Sequence, residues 1–196
     1  MRTPAMHLGF PQRWRAEILP CRPPILPSRH FVYPQAVEEV EKGALETMVF
    51  PAPSAPSAQA AEKTLPFLAT CALGFRDPAV ASGVWACPRP EEICLVAGGY
   101  AYMVDTTAPE RFTMVEMRPV LEIRVAAMAE LLLFIGHRSV LGWGAAGRAW
   151  ESEKLSDEGI TVTGVEDGLL RGMGWEMRTD REYPFAVELA SGKRTL

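Results

Sequence analysis

The 196-residue sequence lacks any hydrophobic run long enough to cross a membrane as a helix, which takes about 18 or more consecutive apolar residues. Its most apolar stretch, residues 126–135, is interrupted by Glu130. Prolines also break up the N-terminal region, where a signal peptide would need a continuous apolar core. We therefore expect a soluble, cytoplasmic protein with no membrane partner.

An excess of positive charge is lacking as well. The 20 Lys and Arg residues are outnumbered by 24 Asp and Glu residues, and the formal net charge is −4. Surfaces that bind nucleic acid need clustered positive charge to meet the phosphates. The sequence therefore predicts no nucleic-acid partner, and its hydrophobic fraction of 48% is that of an ordinary globular protein.

Cysteine and histidine, which supply zinc sites and thiol catalysis, are scarce and scattered. The four cysteines form no CxxC pair and the three histidines lie far apart, so we expect no bound metal and no cofactor. Cys87 and Cys94 flank a connection between two predicted strands and could face each other across it. A disulfide there is left open, although a reducing compartment favours free thiols.

The N-terminal segment is rich in proline and in large apolar side chains. Seven prolines lie within the first 34 residues: Pro4, Pro11, Pro20, Pro23, Pro24, Pro27 and Pro34. Because proline removes a backbone donor and restricts φ, this segment cannot form a long helix or a central strand. Its apolar content is too high for a solvated tail. We expect an extended segment that packs on its own domain or exchanges between subunits of a homo-oligomer.

Residues 34–48 have the spacing of an amphipathic helix. The apolar positions that recur on one helical face are Val37, Val40, Ala44, Leu45 and Met48. The Pro-, Ala- and Ser-rich stretch that follows predicts a linker. The expected organisation is a segment 1–62 that holds the Pro-rich stretch, the helix and the linker, followed by a β-rich domain at 63–196.

Beyond the linker, short apolar runs alternate with turn residues, which predicts strands joined by hairpins. The predicted strands are 67–73, 82–86, 93–96, 100–106, 113–117, 121–125, 131–135, 139–142, 147–151, 160–165, 169–176 and 184–189. Asp167-Gly168 is the strongest hairpin signal, because both residues tolerate positive φ. The stretch after Val125 is expected to form a short bend that leads into a strand.

The expected fold class is mainly β, with antiparallel sheets arranged as a meander, a sandwich or propeller-like blades. A faint repeat aligns residues 92–100 with 130–138 at an offset of 38 and favours blades. The β-rich part has room for about three such units, whereas a closed propeller needs at least four. The three arrangements stay open.

Four aromatic residues are the candidate ligand contacts: Tyr100, Tyr102, Trp143 and Trp150. Gly98-Gly99 would let a ligand approach the backbone, and the aromatic rings offer stacking surfaces. The alternative, which the residue types favour, is a tight turn at the glycine pair and tryptophans that fill a core.

Two residues are candidates for acid–base catalysis. His137 lies beside a turn, two residues before Ser139, and is the candidate general base. Asp105 is the candidate carboxylate. Histidines and aspartates also occur at turns without any catalytic role, where an aspartate caps backbone N–H groups, and this alternative is favoured for both.

No motif in the sequence specifies a reaction. The glycine spacings of phosphate-binding loops and the Gly-x-Ser-x-Gly nucleophile elbow are both missing. The leading hypothesis is a non-catalytic β-rich module that binds a protein partner or a small ligand. The alternative is a hydrolase or carbohydrate-active enzyme with a pocket near Tyr100, Asp105 and His137. A third possibility is a dedicated inhibitor or immunity factor of another protein.

Overall fold

The computed structural model describes residues 3–34, 40, 42–52 and 65–195. It divides into two compact units, Met1–Glu116 and Met117–Leu196, and each is built from β-sheets. Most neighbouring strands run antiparallel, so the predicted mainly β class with antiparallel sheets is confirmed. In the described ranges, no helix is long and apolar enough to cross a membrane.

The first unit contains two sheets. In chain order its strands are β1 Ala5–His7, β2 Trp14–Leu19, β3 His30–Tyr33, β4 Ala44–Pro51, β5 Phe67–Ala72, β6 Gly83–Ala86, β7 Glu92–Ala97, β8 Tyr100–Asp105 and β9 Phe112–Met114. Sheet 1 has the order β1-β6-β7-β8-β9 and sheet 2 the order β2-β4-β5-β3. The pairs β1–β6 and β3–β5 are parallel, and the others are antiparallel.

The three strands of the Pro-rich segment all lie at sheet edges. Strand β1 is the edge of sheet 1, and β2 and β3 are the two edges of sheet 2. Pro20 follows β2 directly and Pro34 follows β3. Proline has no backbone N–H to donate to a neighbouring strand. Strands next to prolines are therefore found at sheet edges, where only one side is paired. The segment is extended, as the sequence indicates.

The predicted N-terminal helix is wrong. Residues 44–48, its C-terminal part, belong to the central strand β4, which pairs with β2 on one side and β5 on the other. A strand buried on both faces carries apolar residues at nearly every position, so a helical spacing can be found in it by coincidence. Residues 35–39, 41 and 53–64, which include Val37 and most of the predicted linker, lie outside the described residues.

The second unit also contains two sheets. Its strands are β10 Glu122–Ala126, β11 Leu131–Ile135, β12 Val140–Gly144, β13 Gly147–Glu151, β14 Ile160–Glu166, β15 Leu169–Glu176 and β16 Arg181–Glu188. The sheets have the orders β10-β11-β12-β13 and β14-β15-β16, and every pair is antiparallel. A core of buried residues that includes Leu133, Ile135, Leu170, Phe185 and Val187 lies between them.

The predicted turns of the second unit are confirmed. Asp167 and Gly168 join β14 to β15 with φ of +51° and +74°, the sign that a two-residue hairpin turn of this kind requires. The bend after Val125 is a single 3₁₀ turn, Ala127–Ala129, and it leads into β11 as expected.

Candidate functional site

A cavity of about 350 Å³ lies in the first unit, where β2 and β7 end and β4 and β6 begin. Most of its wall is apolar. The apolar residues include Pro4, Ile18, Leu19, Leu45, Leu73 and Ala97. Thr3, Glu46 and Ser82 are the polar residues at the cavity. Glu46 is the single lining residue with a charged side chain among those described, and the register puts that side chain on the opposite face of sheet 2 from Ile18 and Leu45.

Glu46 is an acidic side chain placed inside a sheet. It lies on β4 and only 6% of it is exposed. The β4–β5 register places it directly opposite Thr70, which is fully buried. The Thr70 hydroxyl donates to Oε2 of Glu46 at 2.5 Å, a length in the range of hydrogen bonds to an ionised carboxylate. The residue that pairs with Glu46 across the sheet thus donates a hydrogen bond to its carboxylate.

His30 extends this pair into a chain of three side chains. Its Nε2 lies 2.9 Å from Oγ1 of Thr70. A threonine hydroxyl has one hydrogen, and Thr70 donates it to Glu46, so Thr70 must accept from His30. Nε2 of His30 therefore carries a proton, and His30 donates to Thr70, which donates to Glu46.

The environment of His30 favours its neutral form. Partial burial and the nearby positive charge of Arg22 lower the pKa of His30 below 6.5, and the charge of Glu46 opposes them only in part. At neutral pH the imidazole is therefore uncharged. The hydrogen-bond chain from His30 through Thr70 to Glu46 therefore places no positive charge beside the Glu46 carboxylate.

We expect the lowered pKa of His30 to make the first unit less stable in mild acid. Well above pH 6.5 the histidine is neutral in both the folded and the unfolded chain. As the pH falls below 6.5, the unfolded chain binds a proton that the folded chain still refuses, so the free energy of unfolding decreases. Urea denaturation between pH 7.5 and 5.5 measures this slope, and NMR of the imidazole gives the pKa.

His30→Gln is the matched variant for this prediction, because an amide can still donate to Thr70 but does not titrate. Its free energy of unfolding should vary less over the same pH range than that of the natural chain. An equal slope in both proteins would show that His30 is not the responsible group.

Two further cavities lie elsewhere in the described structure. One of about 390 Å³ lies in the second unit beside the 3₁₀ turn, and one of about 330 Å³ lies beside β3 and β9. Their carboxylates, Glu166, Asp167 and Glu110, are all exposed. The lining of the cavity where β2 and β7 end is more apolar than that of these two, so it is the better candidate site.

The structure gives the two candidate tyrosines different surroundings. Tyr102 is fully buried, and its hydroxyl donates to the carbonyl oxygen of Ala72 at 3.0 Å, which ties sheet 1 to sheet 2. Tyr100 is partly exposed and packs edge-on against Phe75 with ring centroids 5.8 Å apart. The glycine pair before it forms the two-residue turn between β7 and β8, with φ of +57° and +77°.

Asp105, the candidate catalytic carboxylate, ends β8 in a network of hydrogen bonds and ion pairs. It accepts from the backbone and side chain of Thr107 at 3.0 and 2.7 Å and from Arg111 at 2.9 Å. Burial pushes the pKa of Asp105 upward, but the bonds from Thr107 and the charges of Arg89 and Arg111 outweigh it and hold the pKa below its ordinary value. These are the contacts of an aspartate that caps a turn.

The remaining candidates, His137, Trp143 and Trp150, belong to the second unit. His137 is exposed in the β11–β12 turn, and no hydrogen bond to it is found in the described part of the chain. Ser139, which follows it, donates instead to Glu151 at 2.9 Å. Asp105 and Tyr100 belong to the first unit.

Both candidate tryptophans pack within the second unit. Trp143 is 6% exposed on β12. Trp150 donates from Nε1 to the carbonyl oxygen of Leu189 at 2.7 Å and packs against the core. A Cβ on Gly142 or Gly192 would lie under 3 Å from its ring, so two glycines make room for it.

The cysteines of the protein are free thiols. Cys87 and Cys94 are buried and unpaired, as is Cys71, whereas Cys21 is exposed. Burial raises the pKa of Cys71, Cys87 and Cys94 well above the ordinary value. Because the thiolate is the nucleophile, these buried thiols are poorly suited to catalysis.

Sequence reasoning missed Glu46, Thr70 and His30 as a group. One signal was available in the sequence. Glu46 lies within the mostly apolar run 44–50, and an acid in a buried strand needs a hydrogen-bond partner. Glu46 and Thr70 are 24 positions apart in the sequence, and His30 and Thr70 are 40 positions apart. Contact between them therefore depends on strand pairing.

Comparisons with known proteins add no functional assignment. The chain matches no protein-family model and none of the curated proteins. Among the residues that the structure describes, no group of three or more His, Cys, Asp or Glu side chains is placed to hold a metal ion. The cavity where β2 and β7 end is therefore the feature from which a function can be inferred.

Proposed function

We propose that the protein is a non-catalytic, β-rich binding protein and that its small-molecule site is the cavity where β2 and β7 end. The carrying observation is an open, mostly apolar cavity of about 350 Å³ at the ends of four strands. Ligand sites are typically concave, roughly 300–1,000 Å³ in volume, and apolar with a few well-placed polar groups. The cavity meets each of these criteria.

The surroundings of the cavity favour binding over catalysis. Thr70 has no exposed surface, so its hydroxyl cannot attack a bound molecule although His30 lies beside it. Ser82 accepts a hydrogen bond from the backbone N–H of Gly98 at 2.9 Å and has no described base next to it. Among the described residues at the cavity, no nucleophile lies beside a base in a position that a bound substrate could reach.

The hydrolase alternative has less support. Asp105 is engaged by Thr107 and two arginines, and His137 has no described hydrogen-bond partner. A general base needs a proton acceptor within hydrogen-bond reach of the substrate and an orienting partner behind it. The binding hypothesis needs no such pair and accounts for the open, mostly apolar cavity.

The test is an amide-shift titration of the full chain with a panel of small molecules of mixed charge. We expect at least one class to shift the backbone amide signals of Ala44–Glu46, Leu73 and Ala97, which surround the cavity. Ala44→Phe, at a half-buried position on the wall, should fill the cavity and weaken binding at least about tenfold, since overlap with the ligand costs more than about 1.4 kcal/mol.

Ala16→Phe is the control, because Ala16 is also a half-buried alanine of sheet 2 but does not line the cavity. Binding should persist in this variant. If no compound of any charge perturbs the cavity amides at millimolar concentration, the proposed function is wrong.

A further inference from the structure

Both walls of the cavity face the gap between the two sheets of the first unit. On sheet 2, the strand registers place Ile18 and Leu45 on the same face as Tyr33. The ring centroids of Tyr33 and of Tyr102 in sheet 1 are 6.3 Å apart, so this face of sheet 2 is turned toward sheet 1. Ala97 lies on the same face of sheet 1 as Tyr102. The cavity is therefore an opening between the two sheets.

Among the described lining residues, the two facing walls carry no formal charge. Glu46 has its side chain on the opposite face of sheet 2 from Ile18 and Leu45. The other lining residues offer alkyl groups, prolines and the hydroxyl groups of Thr3 and Ser82. An ion that enters an apolar site loses its hydration, and on these walls it meets no opposite charge, which makes its burial costly. The cavity therefore selects against ions and in favour of neutral molecules.

Ser82 supplies a hydrogen-bond donor at this opening. It is 9% exposed and lies two residues before Val84, whose partner Leu95 is on the face of sheet 1 that carries Tyr102. Alternation along the chain thus turns Ser82 toward sheet 2. Its Oγ accepts from the backbone N–H of Gly98 at 2.9 Å, and no residue that the structure describes accepts its hydroxyl hydrogen. A serine hydroxyl has one hydrogen to donate, so this hydrogen is left for an acceptor on a ligand.

The volume sets the size of the ligand. An apolar cavity of roughly 150 Å³ accommodates benzene, and the cavity here is about 350 Å³. A molecule of about eight to twelve non-hydrogen atoms therefore fits. A phenyl ketone such as acetophenone is in this range and carries a neutral acceptor.

We infer that the cavity binds a small neutral molecule with a carbonyl or ether oxygen on an apolar body. The oxygen accepts from Oγ of Ser82, and the body packs against Ile18, Leu45 and Ala97. This inference rests on the proposed function and specifies the class of ligand. Ser82 orients the molecule, and the apolar walls exclude ions.

Three planar probes of nearly one shape test the charge preference on the full chain: acetophenone, benzoate and benzamidinium. We expect acetophenone to bind at least about tenfold more tightly than either ion, because an ion would be buried without a partner. Binding is read from the backbone amides of Ala44–Glu46, Leu73 and Ala97, so that a contact elsewhere is not counted. Benzamidinium also reports on Glu46, since it is the probe that this carboxylate would attract.

Ser82→Ala tests the hydrogen bond. α-Methylstyrene has the shape of acetophenone but carries a methylene group in place of the carbonyl oxygen. The ratio of the acetophenone affinity to the α-methylstyrene affinity should fall about fivefold in Ser82→Ala, since the lost hydrogen bond contributes about 1 kcal/mol. Ser28→Ala should leave the ratio unchanged, because Ser28 is an exposed serine of the same unit outside the cavity. If Ser82→Ala does not fold, Ser82→Cys replaces it, because a thiol is only a weak donor.

Three results would overturn the inference. The first is binding of benzoate or benzamidinium by the natural chain as tightly as acetophenone or more tightly. The second is an acetophenone to α-methylstyrene ratio that the change at Ser82 leaves unaltered. The third is occupation of the cavity by other panel compounds but not by acetophenone. Each rejects the neutral acceptor ligand and leaves the binding cavity standing, whereas silence of the cavity amides with every compound rejects the proposed function itself.

Discussion

Replacing Gly174 with alanine should destabilise the second unit by roughly 3 kcal/mol or more, because the added methyl group has no room. An ideal Cβ at this position in β15 would lie 2.0 Å from the carbonyl oxygen of Leu155 and 3.1 Å from its carbonyl carbon. Both are backbone atoms, so rotating a side chain cannot relieve the overlap.

The segment that opposes Gly174 is held in place. The Ser156 hydroxyl accepts from the backbone N–H of Trp175 at 2.9 Å, and both Leu155 and Ser156 are fully buried. The Tyr183 hydroxyl donates to the carbonyl oxygen of Leu155 at 2.8 Å, so a shift of this carbonyl breaks a further bond. The strain must then be absorbed by the β14-β15-β16 sheet.

Urea denaturation followed by hydrogen exchange of β15 measures the effect. Gly164→Ala is the control within the same sheet, since the nearest atom to its added Cβ is a flexible Glu166 oxygen at 3.7 Å. Alanine there should be neutral or stabilising by up to about 1 kcal/mol, because glycine loses more backbone entropy on folding. Similar losses in both variants would mean that the Leu155 contact is not the cause.

Replacing Thr70 with valine should destabilise the first unit by about 2–3 kcal/mol, the second large effect that we expect. Valine has nearly the same shape as threonine but cannot donate to Glu46 or accept from His30. The Glu46 carboxylate, 6% exposed, would lose its described donor and remain desolvated. Removing one partner of a buried polar pair costs more than removing both.

Two companion variants separate the hydrogen bond from the packing. Thr70→Ser keeps the hydroxyl and should lose only about 1 kcal/mol for the missing methyl group. The double variant Thr70→Val with Glu46→Leu removes the carboxylate as well and should recover at least half of the loss. Additive losses in this double-mutant cycle would contradict a coupled network.

The strands after residue 65 could be predicted well from local signals. Predicted strands 131–135, 147–151 and 169–176 have the bounds of β11, β13 and β15. Most of the others differ by one or two residues at an end. The turn residues explain this accuracy. Glycine and aspartate tolerate the positive φ that a hairpin turn requires, and this preference does not depend on distant parts of the chain. The faint repeat between 92–100 and 130–138 stays a prediction.

The same reasoning failed at β4 because the deciding interactions are not local. An apolar run such as 44–50 fits a helix or a doubly buried strand by spacing alone. The neighbours that decide between them are β2 and β5, and β2 begins 30 residues upstream of β4. Once β4 is a central strand, Glu46 faces Thr70, a pairing that a helix would not produce.

By itself, the sequence determined where the chain turns and which stretches extend, because these follow from the φ preferences of glycine, aspartate and proline and from alternating side chains. It also confined the Pro-rich segment to edge strands, since proline cannot donate to a ladder. Only the tertiary structure decided which side chains meet. Glu46, Thr70 and His30 come from three strands, and the hydrogen bonds that join them exist only when those strands pair.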